Sequence, residues 1–350
     1  MKNVLLIVLF ASLPTLMLAQ NEVIKKIERS YSVSGNGSLS INGKYGDVHI
    51  DTWDAKTVEI NVKIEVKKQS EKLAKEMLDK ISIVIEDGNK EALSLSTRID
   101  GSINNKSGDK LEIEYWIKAP KSLAYIIKNN YGSLYVSDNN GSNEFSVAYG
   151  NLKVENCSGK TELNLSYGNG EIASIAQGNL AIDYSNLSVD EVGDINLISN
   201  YSKVEFEKIA SITSENRYGS LEAKSVRVLK GYSKYGNVAI SKLYKTIDFE
   251  TLHGGGLKVD WVSKGFDKII LVAKYGSLAL QFEKGFGATL DADMTYCSLK
   301  FGDVPFNYTH MKEDSQHNLY KGVVGDKENA GNRIISITSS YGNGKIDYAD

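Results

Sequence analysis

Proline is almost missing from this chain: three residues in 350, and after the first twenty only Pro120 and Pro305. Proline removes a backbone donor and interrupts strand pairing, so its scarcity leaves long stretches free to form ladders. Cysteine is scarcer still, with Cys157 and Cys297 alone, which excludes disulfide-stapled scaffolds and cysteine-rich zinc modules. Neither sign of charge dominates: 41 Lys and Arg against 44 Asp and Glu give a net charge of -3. No basic cluster stands out, and nucleic-acid binding, which needs concentrated positive charge, is excluded. Past the first twenty residues no segment is apolar enough to span a membrane as a helix. The alternating runs are also shorter than the roughly 9–11 residues of a transmembrane β-strand.

Residues 1–20 read as a signal peptide. Lys2 is a short basic start, Val4 to Phe10 is an unbroken apolar run, and Ala11 to Ala19 stays mostly apolar around Pro14. Cleavage near Ala19 or Gln20 is expected, although Met17 fits a small-residue cleavage pattern poorly. The uncharged stretch from Asn3 to Asn21 nears the length of a membrane anchor, but Pro14 and the short apolar core favour a cleaved signal. The expected address is therefore outside the cytoplasm: periplasm, cell surface or extracellular.

What the chain has in abundance is one phrase. A tyrosine, usually followed by glycine, opens a short alternating run at Tyr131, Tyr149, Tyr167, Tyr184, Tyr201, Tyr218 and Tyr235, at spacings of 18, 18, 17, 17, 17 and 17. His253 takes the slot next, and the phrase continues at Tyr275, Tyr296 and Tyr341. Counting each tyrosine as zero, apolar residues recur near +3, +5, +8, +11 and +13: after Tyr184 these are Leu187, Val189, Val192, Ile195 and Leu197. Two short strands with period-two alternation, linked by a few residues that contribute one inward side chain, account for this pattern. An antiparallel meander of hairpins is the competing arrangement, and Tyr167-Gly168-Asn169-Gly170 would suit its turns. The apolar +8 residue is wrong for a hairpin tip, however, and a meander this long would be an improbably wide sheet. The sequence thus predicts an all-β fold, a parallel β-solenoid of about 17–18 residues and two main strands per coil.

The ends depart from the period. One early unit exists: Leu39, Ile41, Tyr45-Gly46-Asp47-Val48, Ile50 and Trp53. Val58 to Val66 alternates as a strand, and Ser70 to Ile81 is the best helix, with Ser70 as cap and Leu73, Ala74, Met77, Leu78 and Ile81 as its apolar face. Strands follow at 81–86, 92–99 and 111–118. The expected organisation is a signal peptide (1–20), first strands and coil (21–56), a small α+β insertion whose helix, about 70–81, covers the open end (57–120), the solenoid array (121–301), and an irregular polar excursion with a final coil or cap (302–350).

The segment Ile41-Asn42-Gly43-Lys44-Tyr45-Gly46-Asp47-Val48, followed by Ile50-Asp51-Thr52-Trp53, and the later Tyr-Gly-Asn-Leu and Tyr-Gly-Ser-Leu units resemble the bacterial secreted "putative adhesin" family of unknown function, related to head-GIN and autotransporter-adhesin-like β-solenoid proteins. The resemblance covers about Ser30 to Asp350. It implies an exported, repeat-built protein and brings no catalytic residues.

Candidate sites are few. The tyrosines would stack into a ladder able to bind sugar rings, but each shares inward parity with its neighbours, as Leu163, Leu165 and Tyr167 do. The expectation is therefore a half-buried structural corner, with the following glycine or serine supplying the positive φ or small size of a tight turn. His310, Glu313, Asp314 and His317 form a compact set, with His310 and His317 as weak metal candidates whose spacing matches no zinc motif. His49 and His253 read as structural. Gly254-Gly255-Gly256 lacks both the aspartates of a calcium β-roll and the Lys-Ser/Thr of a phosphate loop. Asp183, Asp190, Glu191 and Asp194 could face one side as an acidic centre, but outward strand positions are charged anyway. Cys157 occupies a core position and Cys297 replaces the glycine after Tyr296. Stacking would hold the two eight coils apart, far beyond the about 7 Å between Cα atoms that a disulfide allows, so both should be free. The expected function is a non-enzymatic scaffold without cofactors that binds a glycan, a polymer or a cell-envelope protein. The alternatives are a polysaccharide-active enzyme on the same solenoid and a periplasmic accessory protein without a ligand.

Overall fold

The computed structural model describes residues 21–103 and 105–349; the expected signal peptide lies outside them. The chain is a parallel β-solenoid. The coil after Tyr184 shows how it is built. Residues 186–189 pair in parallel with 169–172 on one side and 203–206 on the other; residues 191–192 and 194–200 do the same with their counterparts. Each coil thus has one four-residue strand, one seven-residue strand and a two-residue bridge between them. The inward residues are those the periodicity named: Leu187, Val189, Val192, Ile195 and Leu197 are all buried. Burial of each such side chain contributes about 1.5–3 kcal/mol. Repetition joins them into a single hydrophobic cluster running through the molecule.

A further inward column, two residues before each tyrosine, is polar over several coils: Ser199, Asn216, Ser233 and Thr251 are fully buried. Some of these side chains bond to the corner they precede or to the next coil, while the Ser199 and Thr251 hydroxyl oxygens have no hydrogen-bond partner among the described residues. Asn216 Nδ2 donates to the Gly219 carbonyl (3.3 Å) and to Ser233 Oγ (3.0 Å). In the last coil Ser339 Oγ donates to the Gly342 carbonyl at 2.7 Å.

The N-terminal region runs β1 (Glu22–Ser32), β2 (Ser38–Lys44), β3 (Val48–Trp53), β4 (Thr57–Lys67), α1 (Glu71–Leu78), β5 (Ile81–Gly88), β6 (Ala92–Ile99), β7 (Lys110–Pro120), β8 (Ala124–Asn130) and β9 (Leu134–Val136). The coil formed by β2 and β3 lies directly on the coil formed by β8 and β9, although some seventy residues separate them in the chain. The intervening segment goes to the other side: β6 pairs with β2 and β7 with β3, both in parallel. Antiparallel strands then finish each sheet, β5 on β6, and β4 on β7 followed by β1 on β4. β1 is therefore part of this cap, not of the first coil. Helix α1 is capped by Ser70, whose Oγ accepts from the Leu73 amide at 3.3 Å. It adds Ala74 and Met77 to the core. Leu73, expected on the same face, is 45% exposed. No helix among the described residues is long and apolar enough to cross a membrane.

At the other end the order of coils in space differs from their order in the chain. The last unit, residues 334–348, is inserted between two earlier ones. Strand Ile334–Ser340 pairs with Lys268–Lys274 on one side and with 289–295 on the other. Strand Gly344–Tyr348 likewise lies between 278–282 and 299–301. The 302–332 excursion, which matched no unit, is a hairpin: His317–Gly325 runs antiparallel to 287–295, and Phe306–Lys312 runs antiparallel to it in turn. At the N-terminal end both strand columns finish in antiparallel strands; at the other end the longer column does, while 299–301 pairs with Gly344–Tyr348 alone. Antiparallel additions of this kind blunt exposed sheet edges.

Candidate functional site

The tyrosine column is a stack of rings along one edge of the solenoid, and two features of it differ from expectation. The tyrosine itself, not the glycine, takes the left-handed backbone. φ lies between 50° and 61° at every one, from Tyr45 to Tyr341, and is 58° at His253. That conformation costs a residue bearing a Cβ about 1–3 kcal/mol. A left-handed residue also breaks the period-two alternation, so the ring leaves the core side that parity gave it. Tyr131, Tyr149, Tyr167, Tyr184, Tyr201, Tyr218, Tyr235, Tyr275, Tyr296 and Tyr341 stand on the outside, each roughly half exposed.

Where glycine follows the tyrosine, close approach of the coils is the reason. A Cβ at Gly150 would sit 2.0 Å from the carbonyl oxygen of Gly132 on the preceding coil, and one at Gly342 would sit 1.9 Å from that of Gly276. Where serine replaces it, the hydroxyl joins the coil-to-coil bonding: the Gly168 amide donates to Ser185 Oγ (3.1 Å) and the Ser185 amide to Ser202 Oγ (3.0 Å).

The rings stack face to face. Tyr167, Tyr184 and Tyr201 are 5.1 and 4.9 Å apart at 3° between planes. His253 continues the stack between Tyr235 and Tyr275 at 5.2 and 6.0 Å, and Tyr341 fills the place between Tyr275 and Tyr296 at 4.8 and 5.1 Å. Each ring covers its neighbour's face. The ladder therefore presents edges and hydroxyls to solvent, and an interior ring has no free face on which a sugar could stack.

The other sequence-level candidates are dispersed. His317 Nε2 lies 2.8 Å from Asp293 Oδ1, and Glu313 accepts from the Tyr320 hydroxyl at 2.8 Å. Asp314 pairs with Lys312 and accepts from the amides of Gln316 and His317, which in that order hold its carboxyl well below the usual carboxylate range. His310 is exposed on the outer hairpin strand. No group of three or more metal-competent side chains comes together among the described residues. Asp183 accepts from Asn200 Nδ2 (2.8 Å) on the coil after its own, while Asp190, Glu191 and Asp194 follow one another around the short bridge of the next coil. They do not converge on one side. Gly254 and Gly255 hold positive φ at the irregular His253 corner. His49 is one ring of a short second stack described below. Both cysteines are free, and burial pushes the Cys157 thiol up to about 11. The inserted last unit puts them one coil farther apart than chain order indicates.

One site was not singled out from the sequence. On the outer surface of the N-terminal sheet, Glu28 of β1, Asn61 of β4, Trp116 of β7, His49 of β3 and Tyr135 of β9 lie side by side in register. Their rings stack, Tyr135 on His49 at 4.5 Å and 3°, and His49 on Trp116 at 6.0 Å and 10°. Trp116 is 40% exposed. A parallel row, Ser30, Glu59, Lys118 and Asp51, flanks the first. Between them is a groove of about 660 Å³ that Arg29 also lines. Its signal was present in the strand: Ile113, Tyr115 and Ile117 point inward, so Trp116 must point out.

No family model matches the chain, and no curated protein matches it in sequence. Solved structures to which it is similar include a putative cell adhesion protein from Clostridium sporogenes (12% identity, 93% of this chain and 100% of that one, TM-score 0.19). A putative adhesin from Bacteroides fragilis (14% identity, 92% and 97% covered, TM-score 0.28) and one from Parabacteroides merdae (10% identity, 92% and 96% covered, TM-score 0.26) are others. All three neighbours are bacterial proteins named for adhesion.

Proposed function

We propose that this protein is an exported, non-enzymatic scaffold that binds an extended polymer, glycan or protein at the cell envelope by repeated contacts along its sides. The supporting observation is the ring stack: stacked rings run from Tyr45 to Tyr296, and from Tyr131 on each tyrosine offers a roughly half-exposed edge and hydroxyl, with His253 taking one place. Phenolic edges are amphipathic and rigid, the properties that enrich tyrosine at contact surfaces. Repetition at a fixed pitch turns weak single contacts into avidity. The carboxylates read from the sequence as a possible catalytic set are spread around the coil, which favours binding over turnover. Protease treatment of intact cells tests the location: digestion of the protein without lysis is expected, and full resistance removes the surface role. A polysaccharide panel tests the activity: retention without product release is expected, and release of oligosaccharides would replace the scaffold with an enzyme.

A further inference from the structure

We propose that the groove over Asn61 is a saccharide subsite, in which one pyranose ring of an uncharged polysaccharide lies against the open face of the Trp116 indole; this rests on the scaffold reading and gives it a defined point of contact. The stack of Tyr135, His49 and Trp116 ends at Trp116. The next residue in register is Asn61, too short and not aromatic, and beyond it stands Glu28. No ring covers the second face of the indole among the described residues, unlike the interior rings of the tyrosine ladder. A large apolar plane is thus left bare at the wall of a concave site, where the core has no use for it.

The rest of the groove is chemically specific. Its other walls are short or charged, since Ile60 and Ile117 turn their side chains into the core. Glu28, Glu59 and Asp51 offer acceptors able to bridge neighbouring hydroxyls, and Asn61 offers both donor and acceptor. Lys118 and Arg29 add donors. A plane for the C–H side of a sugar ring with a rim of polar groups for its hydroxyls is the arrangement a pyranose requires. The volume lies within the range of small-ligand sites. Three carboxylates against two cations disfavour nucleic acid and acidic polysaccharides. The absence of a deep apolar pocket disfavours a peptide anchor, which gains most from a fully desolvated side chain.

The test uses the full mature chain and isothermal titration with cellohexaose, xylohexaose, mannohexaose and chitohexaose. At least one should bind and shift the indole emission. Trp116→Ala should weaken that binding by about tenfold or more, and Asn61→Trp should do the same by extending the ring stack across the groove while leaving Trp116 in place. Both positions face solvent, so circular dichroism and melting temperature should stay near wild type. Hexaose binding unchanged in both groove variants would overturn the subsite and leave the scaffold reading standing. Binding of no hexaose would also overturn it, and wild-type retention on intact cells would then show whether the scaffold reading survives. Saturation by choline in place of any sugar, the signature of a cation site at the indole, overturns it as well.

Discussion

Replacing Tyr184 separates the two roles that the corner combines, and the order of the variants carries the information. Tyr184 holds φ at 51° and stacks on Tyr167 and Tyr201 at 5.1 and 4.9 Å. Each aromatic pair contributes about 0.5–1.5 kcal/mol beyond area burial, so removing the ring costs about 1–3 kcal/mol. Alanine loses both stacks and still carries a Cβ in the left-handed region, so the backbone penalty stays. Glycine loses the same stacks but relieves the strain, which outweighs its greater unfolded-state entropy by up to about 1 kcal/mol. Phenylalanine keeps the stacks and loses a hydroxyl for which no hydrogen-bond partner exists among the described residues, so it should stay within about 0.5 kcal/mol of wild type. The expected stability order is Tyr, then Phe close behind, then Gly, then Ala, measured by denaturant unfolding followed by circular dichroism. An alanine variant at least as stable as the glycine variant would refute the left-handed corner. A phenylalanine variant as unstable as alanine would show that the hydroxyl, not the ring, holds the edge together.

Two further expectations concern the ends. Removing residues 334–350 leaves the 268–282 and 289–301 coils without the unit that separates them; hydrogen exchange should then show lost protection over 268–301, with 149–235 still protected. Uniform protection in the truncated chain would contradict the inserted order. At the N-terminal cap, Glu65 accepts from Lys110 at 2.6 Å and Lys63 at 2.7 Å, in that order of influence, and its carboxyl is lowered from the ordinary value. A carboxylate lowered in the folded state binds protons more readily when unfolded. Its stabilisation is therefore present above the unfolded value, about 4.3, and is lost as pH falls through the folded one. Glu65→Gln should cost about 1 kcal/mol at pH 7 and nothing once the carboxylate is protonated, so melting curves of the two proteins should converge in acid. Parallel curves down to the acid limit would show that the pair contributes nothing.

Much of the fold was legible because solenoids write their geometry into spacing. Leu187, Val189, Val192, Ile195 and Leu197 are apolar because they are inside, and the same offsets recur coil after coil. The inward column at Ser199, Asn216, Ser233 and Thr251 is not legible from hydrophobicity, because its residues are small or polar; Asn216 and Ser233 are buried as a hydrogen-bonded pair, Ser199 and Thr251 with unpartnered hydroxyls. The stacked, half-buried corner is legible in the tyrosine spacing, but simple alternation gives the ring inward parity, and the positive φ that turns it outward leaves no mark in the sequence. Nothing local could reveal that the Tyr341 unit sits ahead of the Tyr296 unit. Both carry the same pattern, and pairing between like coils is decided by how the chain returns through the 306–325 hairpin. Trp116 was legible by parity alone, but its meaning depends on Asn61 standing opposite, and that register is set by an antiparallel pairing across half a hundred residues.

The inserted last unit also sets a clock. A chain that emerges from its N-terminus can lay each coil on the one before as soon as it is made. That rule fails at Lys274: the next strand in sequence does not pair there, and the edge must wait while more than fifty residues follow. That edge closes only when residues 334–348 slot between two surfaces already waiting for them. A prematurely ended chain would therefore be marked by an open edge in its interior, a visible defect by which intact molecules and fragments differ in protease sensitivity and in their tendency to capture one another.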